Sequence, residues 1–514
     1  MVSAEYPVTW PQGSPLFQMT PGLRIGPASA YNTDIITIDP NTGTQIDVPP
    51  HSIPRPQSKL PNAGPLGLAY TDKVPVWQFA GEACVIDVRP LRDAGAKGRS
   101  ALIGKREIQA WERKHRALRA GDVVLFRSDY TDAYYRPLPE GRRFIADALE
   151  GSAPGWPDPD PEAMEYIAAQ GVRAAGTDSP SMGPIPDLAE PTHYAGLRHG
   201  MVWTEGATRL GSLPPTGALY CMLGPKYEGG NTSEARAFAI TGPEAAKLID
   251  SVRKRQVADL SVTLAPERPL WWPGSGVGNH RQPFITINWQ YMPTLDFYAQ
   301  VHMMDAHTGT HLVPPSYALP EPGFDNSRYA PEVRRWLEEY EKRFGRRGVS
   351  TVTVEQVDIG QTVGPARVID VSEPEITAGQ VKAFEERKGV LRPGEVVLFR
   401  SGYSDRCFEP GAAASRCMAD PLNGKAASWP AMTPELVLYL AGKGIRAVGA
   451  DTPSVGGADA RQALMTYWAL GSRGMVAVEF LTNLRAVPDN AWFLFAATKI
   501  RGAHGGPGRA IAIY

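Results

Sequence analysis

Two stretches of this 514-residue chain carry side chains able to hold a metal ion or move a proton, and they are two versions of one phrase. The downstream version reads His307, Thr308, Gly309, Thr310, His311, Leu312, Val313, Pro314, Pro315, and the upstream one reads Asn41, Thr42, Gly43, Thr44, Gln45, Ile46, Asp47, Val48, Pro49, Pro50, His51. Two imidazoles four residues apart across a glycine turn can face one point, and two histidines with one or two carboxylates make a common divalent-metal set. On spacing alone, a pair of ordinary polar loop histidines is an equal reading. The upstream version exchanges both imidazoles for amides yet keeps Asp47 and His51. The downstream version keeps the imidazoles but carries Val313 and Tyr317 in those places.

The repetition extends well beyond the phrase. Leu118 to Ser128 (LRAGDVVLFRS) returns as Leu391 to Ser401 (LRPGEVVLFRS), and Gly171 to Ser181 (GVRAAGTDSPS) returns as Gly444 to Ser454 (GIRAVGADTPS), both displaced by 273 residues. Two long matches at one offset mark a duplicated and fused domain, whereas a short-period solenoid would show more copies. Each copy then has roughly 250 residues, near the upper size for a single core.

The formal net charge is −1 and no Lys/Arg block stands out, which argues against a nucleic-acid or anionic-membrane partner. Cys84, Cys221, Cys407 and Cys417 form no CxxC pair, and neither copy places a cysteine where the other has one, so they read as free thiols rather than a disulfide framework. No basic leader followed by an apolar run and no membrane-length apolar stretch is present, and a soluble cytoplasmic protein is expected.

The elements that must position the chemistry follow from periodicity. Short β-branched runs at 83–88, 123–126 and 172–175 alternate with helical stretches at 108–118 and 161–170, the pattern of a mixed α/β domain. Residues 241–258 read as the joint between an N-terminal copy, 1–240, and a C-terminal copy, 259–514: Thr241 and Glu244 have capping-box spacing, and Leu248, Ile249 and Val252 form an apolar edge. Residues 331–344 place Val333, Trp336, Leu337, Tyr340 and Phe344 on one helical face suited to packing, while the matching stretch 52–67 is rich in Pro and Gly. Segments 136–160 and 409–430 read as loops able to select substrate.

The run Asp259 to Leu264 (DLSVTL), then Trp272, Pro273, Gly274, then His307 to Pro315, resembles the cyclase family of kynurenine formamidase-like, isatin hydrolase-like and polyketide cyclase proteins. The resemblance spans nearly the whole chain, once per half. It implies a swivelling β/β/α fold in which the motif His-x-Gly-Thr-His-x-Asp-x-Pro-x-His, with a later His and Glu twelve residues apart, surrounds Zn²⁺ or Mn²⁺ and supplies a base. It implies no organic cofactor. Carried over residue by residue, the N-terminal copy keeps the metal positions Asp47, His193 and Glu205 and the base His51, with Asn41 and Gln45 in place of imidazoles and able to offer carbonyl oxygens. The C-terminal copy keeps His307, His311 and Glu479 as a three-ligand set for Zn²⁺ but has Val313, Tyr317 and Tyr467 elsewhere. Pooling ligands from both copies is disfavoured, because Asp47 lies two residues from Gln45 in one loop.

Three functions fit these residues. The first is a metal-dependent hydrolase of a cyclic or N-acyl amide or ester, working mainly at the N-terminal site through His51, Asp47 and Glu205. The second is a metal-independent cyclase, isomerase or dehydratase of secondary metabolism in the same pocket, and the third a non-catalytic binding protein. The fused pair is expected to act as an intramolecular pseudo-dimer, monomeric or further associated, on a small cyclic or aromatic substrate, with Trp10, Trp272, Trp289 and Tyr291 either walling its pocket or serving as core residues. Asp178 and Asp451, repeated in Asp-Ser/Thr-Pro-Ser, are expected to orient the neighbouring loop or cap a helix.

Overall fold

The computed structural model describes the chain apart from residues 8–9, 11–15, 271–283 and 293–296 and the side chains of 289–292, 297–298 and 412. Trp272, Pro273 and Gly274, and the side chains of Trp289 and Tyr291, fall outside the described residues. The chain forms two compact units, one of Met1–Gln18, Ile38–Val257 and Ile287–His302, the other of Met19–Thr37, Ala258–Thr286 and Met303–Tyr514. Each unit therefore contains a short stretch from the opposite half of the sequence.

In the first unit the strands are β1 (Gln45–Asp47), β2 (Ala80–Asp87), β3 (Asp122–Arg127), β4 (Ala174–Thr177), β5 (Val202–Glu205), β6 (Leu219–Leu223), β7 (Thr232–Glu234) and β8 (Arg236–Ile240). They form one sheet in the order β7-β1-β5-β4-β3-β2-β6-β8. Its centre, β2 through β5, is parallel, and strands covered on both faces read as unbroken apolar runs such as Val123 to Phe126. Helices α1 (Lys105–Lys114), α2 (Pro161–Ala169), α3 (Ala189–Leu197) and α4 (Pro243–Arg253) accompany it. Ile108, Trp111, Met164, Ile167, Ala195 and Leu197 enter one core with Val124 and Phe126.

The second unit repeats this arrangement with β9 (His311–Val313), β10 (Val363–Asp370), β11 (Val396–Arg400), β12 (Ala447–Ala450), β13 (Val476–Glu479), β14 (Trp492–Ala497) and β15 (Gly506–Ile513), adjacent in the order β15-β9-β13-β12-β11-β10-β14. Its helices are α5 (Pro331–Phe344), α6 (Ala378–Lys388), α7 (Pro434–Gly442) and α8 (Ala460–Ser472). Each unit is a mixed α/β domain and the two are copies of one architecture. The aromatic stripe on α5 is a packing face: Leu337 and Tyr340 are buried in the core, with Val333, Trp336 and Phe344 against it.

Three local expectations need correction, and one open alternative is decided. Cys407 and Cys417 are joined in a disulfide, because the helical turn between them folds their Cα atoms to 4.9 Å; Cys84 and Cys221 are the buried free thiols. The capping box at Thr241 is not formed: α4 starts from Gly242 at φ +91°, without a side-chain cap. The segments read as loops contain short helices at Ala146–Leu149 and Ala419–Leu422. Trp10 packs edge-on against buried Trp156, with ring centroids 6.1 Å apart, and so belongs to a core cluster. Among the described residues no helix is long and apolar enough to cross a membrane.

Candidate active site

Sheet register assembles the first site. In β1 and β5, Gln45 lies opposite Glu205 and Asp47 opposite Trp203. Directly opposed residues share a face and alternate residues return to it, so all four side chains project together. The turn before β1 needs Gly43 at φ +70°, a left-handed conformation matched by Gly309 at φ +64° in the other copy. A 3₁₀ turn at Pro49–His51 then brings His51 back beside Asp47. Helix α3 delivers His193 from above. Its Gly196 permits the close approach, since a Cβ there would stand 2.7 Å from the Trp203 ring.

Asp47 is the hub. Its Oδ2 lies 3.7 Å from His51 Nε2 and 3.6 Å from His193 Nε2, and it accepts a 3.0 Å bond from the Trp203 indole. His193 Nε2 also lies 3.4 Å from Glu205 Oε1, while its Nδ1 is 2.8 Å from the Ala189 carbonyl. That carbonyl can only accept, so Nδ1 carries a proton and Nε2 is the nitrogen turned to the carboxylates. Among the described residues, the donor atoms of Asp47, His51 and His193 all lie within 4.8 Å of one another, and Asp47 Oδ1 is buried without a hydrogen-bond partner.

Burial lowers the pKa of His51 to about 4, and the neighbouring His193 pushes it the same way. Burial also opposes charge on His193, but bonds to Asp47 and Glu205 outweigh it and raise its pKa well above the usual histidine value. Glu205 is raised by burial and then by Asp47. The surroundings of the first site thus push its two imidazoles in opposite directions, His51 down and His193 up.

The amides do something other than offer carbonyl oxygens. Gln45 donates through Nε2 to Glu205 Oε2 at 2.7 Å, and Asn41 donates through Nδ2 to Asp39 at 2.9 Å. Glu205 Oε1 meanwhile accepts from the Met182 backbone at 2.6 Å and the Trp203 indole at 3.2 Å. Both Glu205 oxygens are engaged by protein donors, which makes this carboxylate part of the frame around Asp47 and His193.

In the second site Glu479 faces His311 across β9 and β13, as Glu205 faces Gln45. The expected trio His307, His311 and Glu479 does not assemble as a ligand set. His307 Nδ1 lies 3.0 Å from Asp305 and Nε2 lies 3.1 Å from the His504 carbonyl; both neighbours accept, so both ring nitrogens are donors. Burial opposes that charge, yet Asp305 keeps the pKa of His307 raised. His311 does stand 3.2 Å from Glu479 Oε2. Glu479 Oε1, however, accepts from Tyr467 Oη at 2.6 Å and the Val455 backbone at 2.8 Å. Tyr317 stacks on Tyr31 at 4.7 Å, sits 4.6 Å from the His307 ring and meets Tyr467 edge-on at 5.0 Å. The space where the first site holds imidazoles is filled here by phenol rings.

Several residues of both sites escaped sequence reasoning. Trp203 was signalled only by its place two residues before Glu205 on one strand. Asp39 and Asp305 stand two residues before the motif in each copy and bind its first residue through backbone and side chain alike. Asp178 and Asp451 do hold loops: Asp178 accepts from Ser128 N, Ser128 Oγ and Asp129 N, and Asp451 from Ser401 N, Ser401 Oγ and Gly402 N.

The Cyclase family profile matches residues 4–184 and again 258–456. A kynurenine formamidase of Salinibacter ruber is 28% identical over 221 residues, 42% of this chain and 83% of the relative. An isatin hydrolase of Roseibium aggregatum is 27% identical over 233 residues, 43% of this chain and 82% of the relative. Among solved structures, isatin hydrolase A from Labrenzia aggregata bound to benzyl benzoate aligns with a TM-score of 0.40 at 23% identity, covering 52% of this chain and 98% of that one.

Proposed function

Because the chain belongs to the Cyclase family through both of its halves, we propose that it is a metal-dependent hydrolase of the C–N bond in a small cyclic or N-acyl amide, or of the related ester. The reaction is assigned to the first unit. The observation that carries this reading is the convergence of Asp47, His51 and His193 donors within 4.8 Å. Similarity to a kynurenine formamidase and an isatin hydrolase supports the substrate class.

The donor set fits a divalent cation such as Mn²⁺ or Zn²⁺. Asp47 Oδ1 is a buried acceptor without a partner among the described residues, and the Ala189 carbonyl holds His193 with Nε2 toward the site. Asp47 and His193 would hold the ion, within the frame set by Glu205. When bound, such an ion supplies Lewis acidity and a water acidified toward neutrality. His51 accepts the proton of the attacking water at Nε2. The water oxygen forms the new C–O bond, the C–N pair departs with nitrogen, and His51 returns the proton to that nitrogen. Trp203, donating to Asp47 and Glu205, keeps the two carboxylates in register.

A second reading rests on His193 Nε2 lying within 3.6 Å of Asp47 and 3.4 Å of Glu205, which makes a buried proton-holding group without any metal. That group suits an isomerisation, dehydration or ring closure. Elemental analysis separates the two readings, comparing wild type with Asp47→Ala/His193→Ala and with His307→Ala/His311→Ala. The hydrolase reading expects metal lost only in the first pair. No metal in the wild type after incubation with Mn²⁺ and Zn²⁺ would leave the metal-free reading.

A further inference from the structure

A cavity of about 260 Å³ opens in the first unit at the end of the sheet away from the catalytic cluster. Ala80, Asp122 and Ala174 line it, and they are the first residues of β2, β3 and β4. Glu205 is the last residue of β5, which runs parallel to β4, so cavity and active site lie at opposite strand ends. The lining is strongly cationic, with Arg173, Arg253 and Arg255 against the single carboxylate Asp122.

That carboxylate is already saturated. Asp122 takes Arg116 at 2.6 Å and Arg253 at 3.2 Å, and Arg253 also pairs with Glu82. Arg253 Nε remains buried without an acceptor among the described residues. Arg173 spends Nη1 on the carbonyls of Ala168 and Val172. Arg255 lies 4.9 Å from the centre of the Trp77 ring. It is also held at φ +61°, just past the end of α4, where a glycine would sit without strain. The Gln78 amide closes the wall beside Trp77.

The duplicated unit provides the contrast. At the same end of the matching strands β10 and β11 there is a cavity of about 220 Å³ lined by Arg367, Lys388, Glu395 and Asp489. There each cation has its own carboxylate: Arg367 meets Glu395 at 3.1 Å and Lys388 meets Asp489 at 2.7 Å. Arg253 is likewise paired in the first cavity, but there Arg173 and Arg255 have no carboxylate partner among the described residues, and an indole is added.

We propose that the first cavity is a binding site for a small aromatic carboxylate. Guanidinium groups match a carboxylate in a planar fork, and the Trp77 indole beneath Arg255 supplies an aromatic wall of the same cavity for the ring. The site is independent of whether the chain hydrolyses amides, because none of its residues belongs to the catalytic cluster.

Isothermal titration with benzoate, benzamide and inorganic phosphate tests it on the full chain. Benzoate is expected to bind one per chain with a submillimolar Kd, and benzamide to bind at least tenfold more weakly. Arg255→Gln, an exposed position, should weaken benzoate at least tenfold, whereas Arg367→Gln and Asp47→Ala should leave it unchanged. Trp77→Leu should weaken benzoate but not phosphate. Phosphate binding as tightly as benzoate and indifferent to Trp77→Leu would overturn the aromatic assignment. Absent benzoate binding, binding indifferent to Arg255→Gln, or binding lost in Asp47→Ala would overturn the site.

Discussion

Replacing His193 by alanine tests whether the charges of the first site act as one energetic unit. His193 Nε2 stands 3.6 Å from Asp47 and 3.4 Å from Glu205, with the two carboxylate side chains 0% and 2% exposed. At an effective dielectric near 20 each attraction is about 5 kcal/mol before desolvation, and most of that is cancelled by taking the charges out of water. Removing the cation reverses the balance, because two buried carboxylates are left with neutral donors only, and a broken buried pair costs about 3–5 kcal/mol. In a unit of this size each kcal/mol moves the midpoint by about 2–4 °C, so calorimetry of chelator-treated protein should show a fall of roughly 6–20 °C at neutral pH.

The pH dependence separates charge from lost packing. His193 has a raised folded pKa, so its contribution is full below the ordinary histidine range and disappears as pH rises through the raised value. Glu205 also has a raised folded pKa, so the folded state loses stability as pH climbs from the ordinary carboxylate range, and protonation relieves the variant in acid. The deficit of the variant should therefore peak between those two titrations and shrink on either side, leaving a pH-independent remainder from the cavity. A midpoint drop below about 2 °C, or one flat from acid to alkaline pH, refutes the coupled unit.

Three other outcomes follow from the two sites. His51→Gln should lower the hydrolytic kcat by about 10²–10⁴-fold while metal content by elemental analysis stays at the wild-type level; loss of metal would instead make His51 a ligand. Gln45→His puts an imidazole opposite Glu205 in the register that His311 holds opposite Glu479, and metal retained through dialysis against a chelator should rise on the order of tenfold; no gain would mean the amide is not what limits affinity. Tyr467→Phe removes the 2.6 Å bond to buried Glu479 and should cost about 1–3 kcal/mol in chemical denaturation with hydrolysis unchanged; a slower reaction at unchanged stability would move the chemistry to the second unit.

The duplicated α/β architecture was legible because its signals are local and doubled. Val123 to Phe126 and Val396 to Phe399 are unbroken apolar runs that only a covered parallel strand accommodates, and each recurs in the same surroundings. The clustering of Asp47, His51, His193 and Glu205 was legible as well, since the structure brings the four side chains together. What each group does there was not, because hydrogen-bond direction depends on partners distant in sequence. Gln45 offers an oxygen or a nitrogen according to what lies across the strand, and Glu205 accepts from it over a separation of 160 residues. The reading of His307 as a ligand failed for the same reason: His504, whose carbonyl takes its Nε2, is 197 residues away. The Cys407–Cys417 pair gave no signal because its partners are unmatched in the other copy.

The contrast between the copies shows how one loop serves two ends. Asp39 and Asp305 make the same pair of bonds to the first motif residue, to N and Nδ2 of Asn41 and to N and Nδ1 of His307. The loop's shape is thus independent of whether an imidazole or an amide occupies that position, and selection on the fold does not demand a metal ligand there. In the second unit the His504 carbonyl takes up His307 and the Tyr467 hydroxyl takes up Glu479, and Tyr31 packs against both Tyr317 and Tyr467. A buried polar group without a partner is costly, so a site that loses its ion is stable only if each ligand finds a new partner. Glu479 and His307 have done so. Asp47 has not: its Oδ1 remains buried and without a hydrogen-bond partner among the described residues, as does His311 Nε2 in the second unit, so the proposal of a first-unit site rests on the convergence of Asp47, His51 and His193 donors.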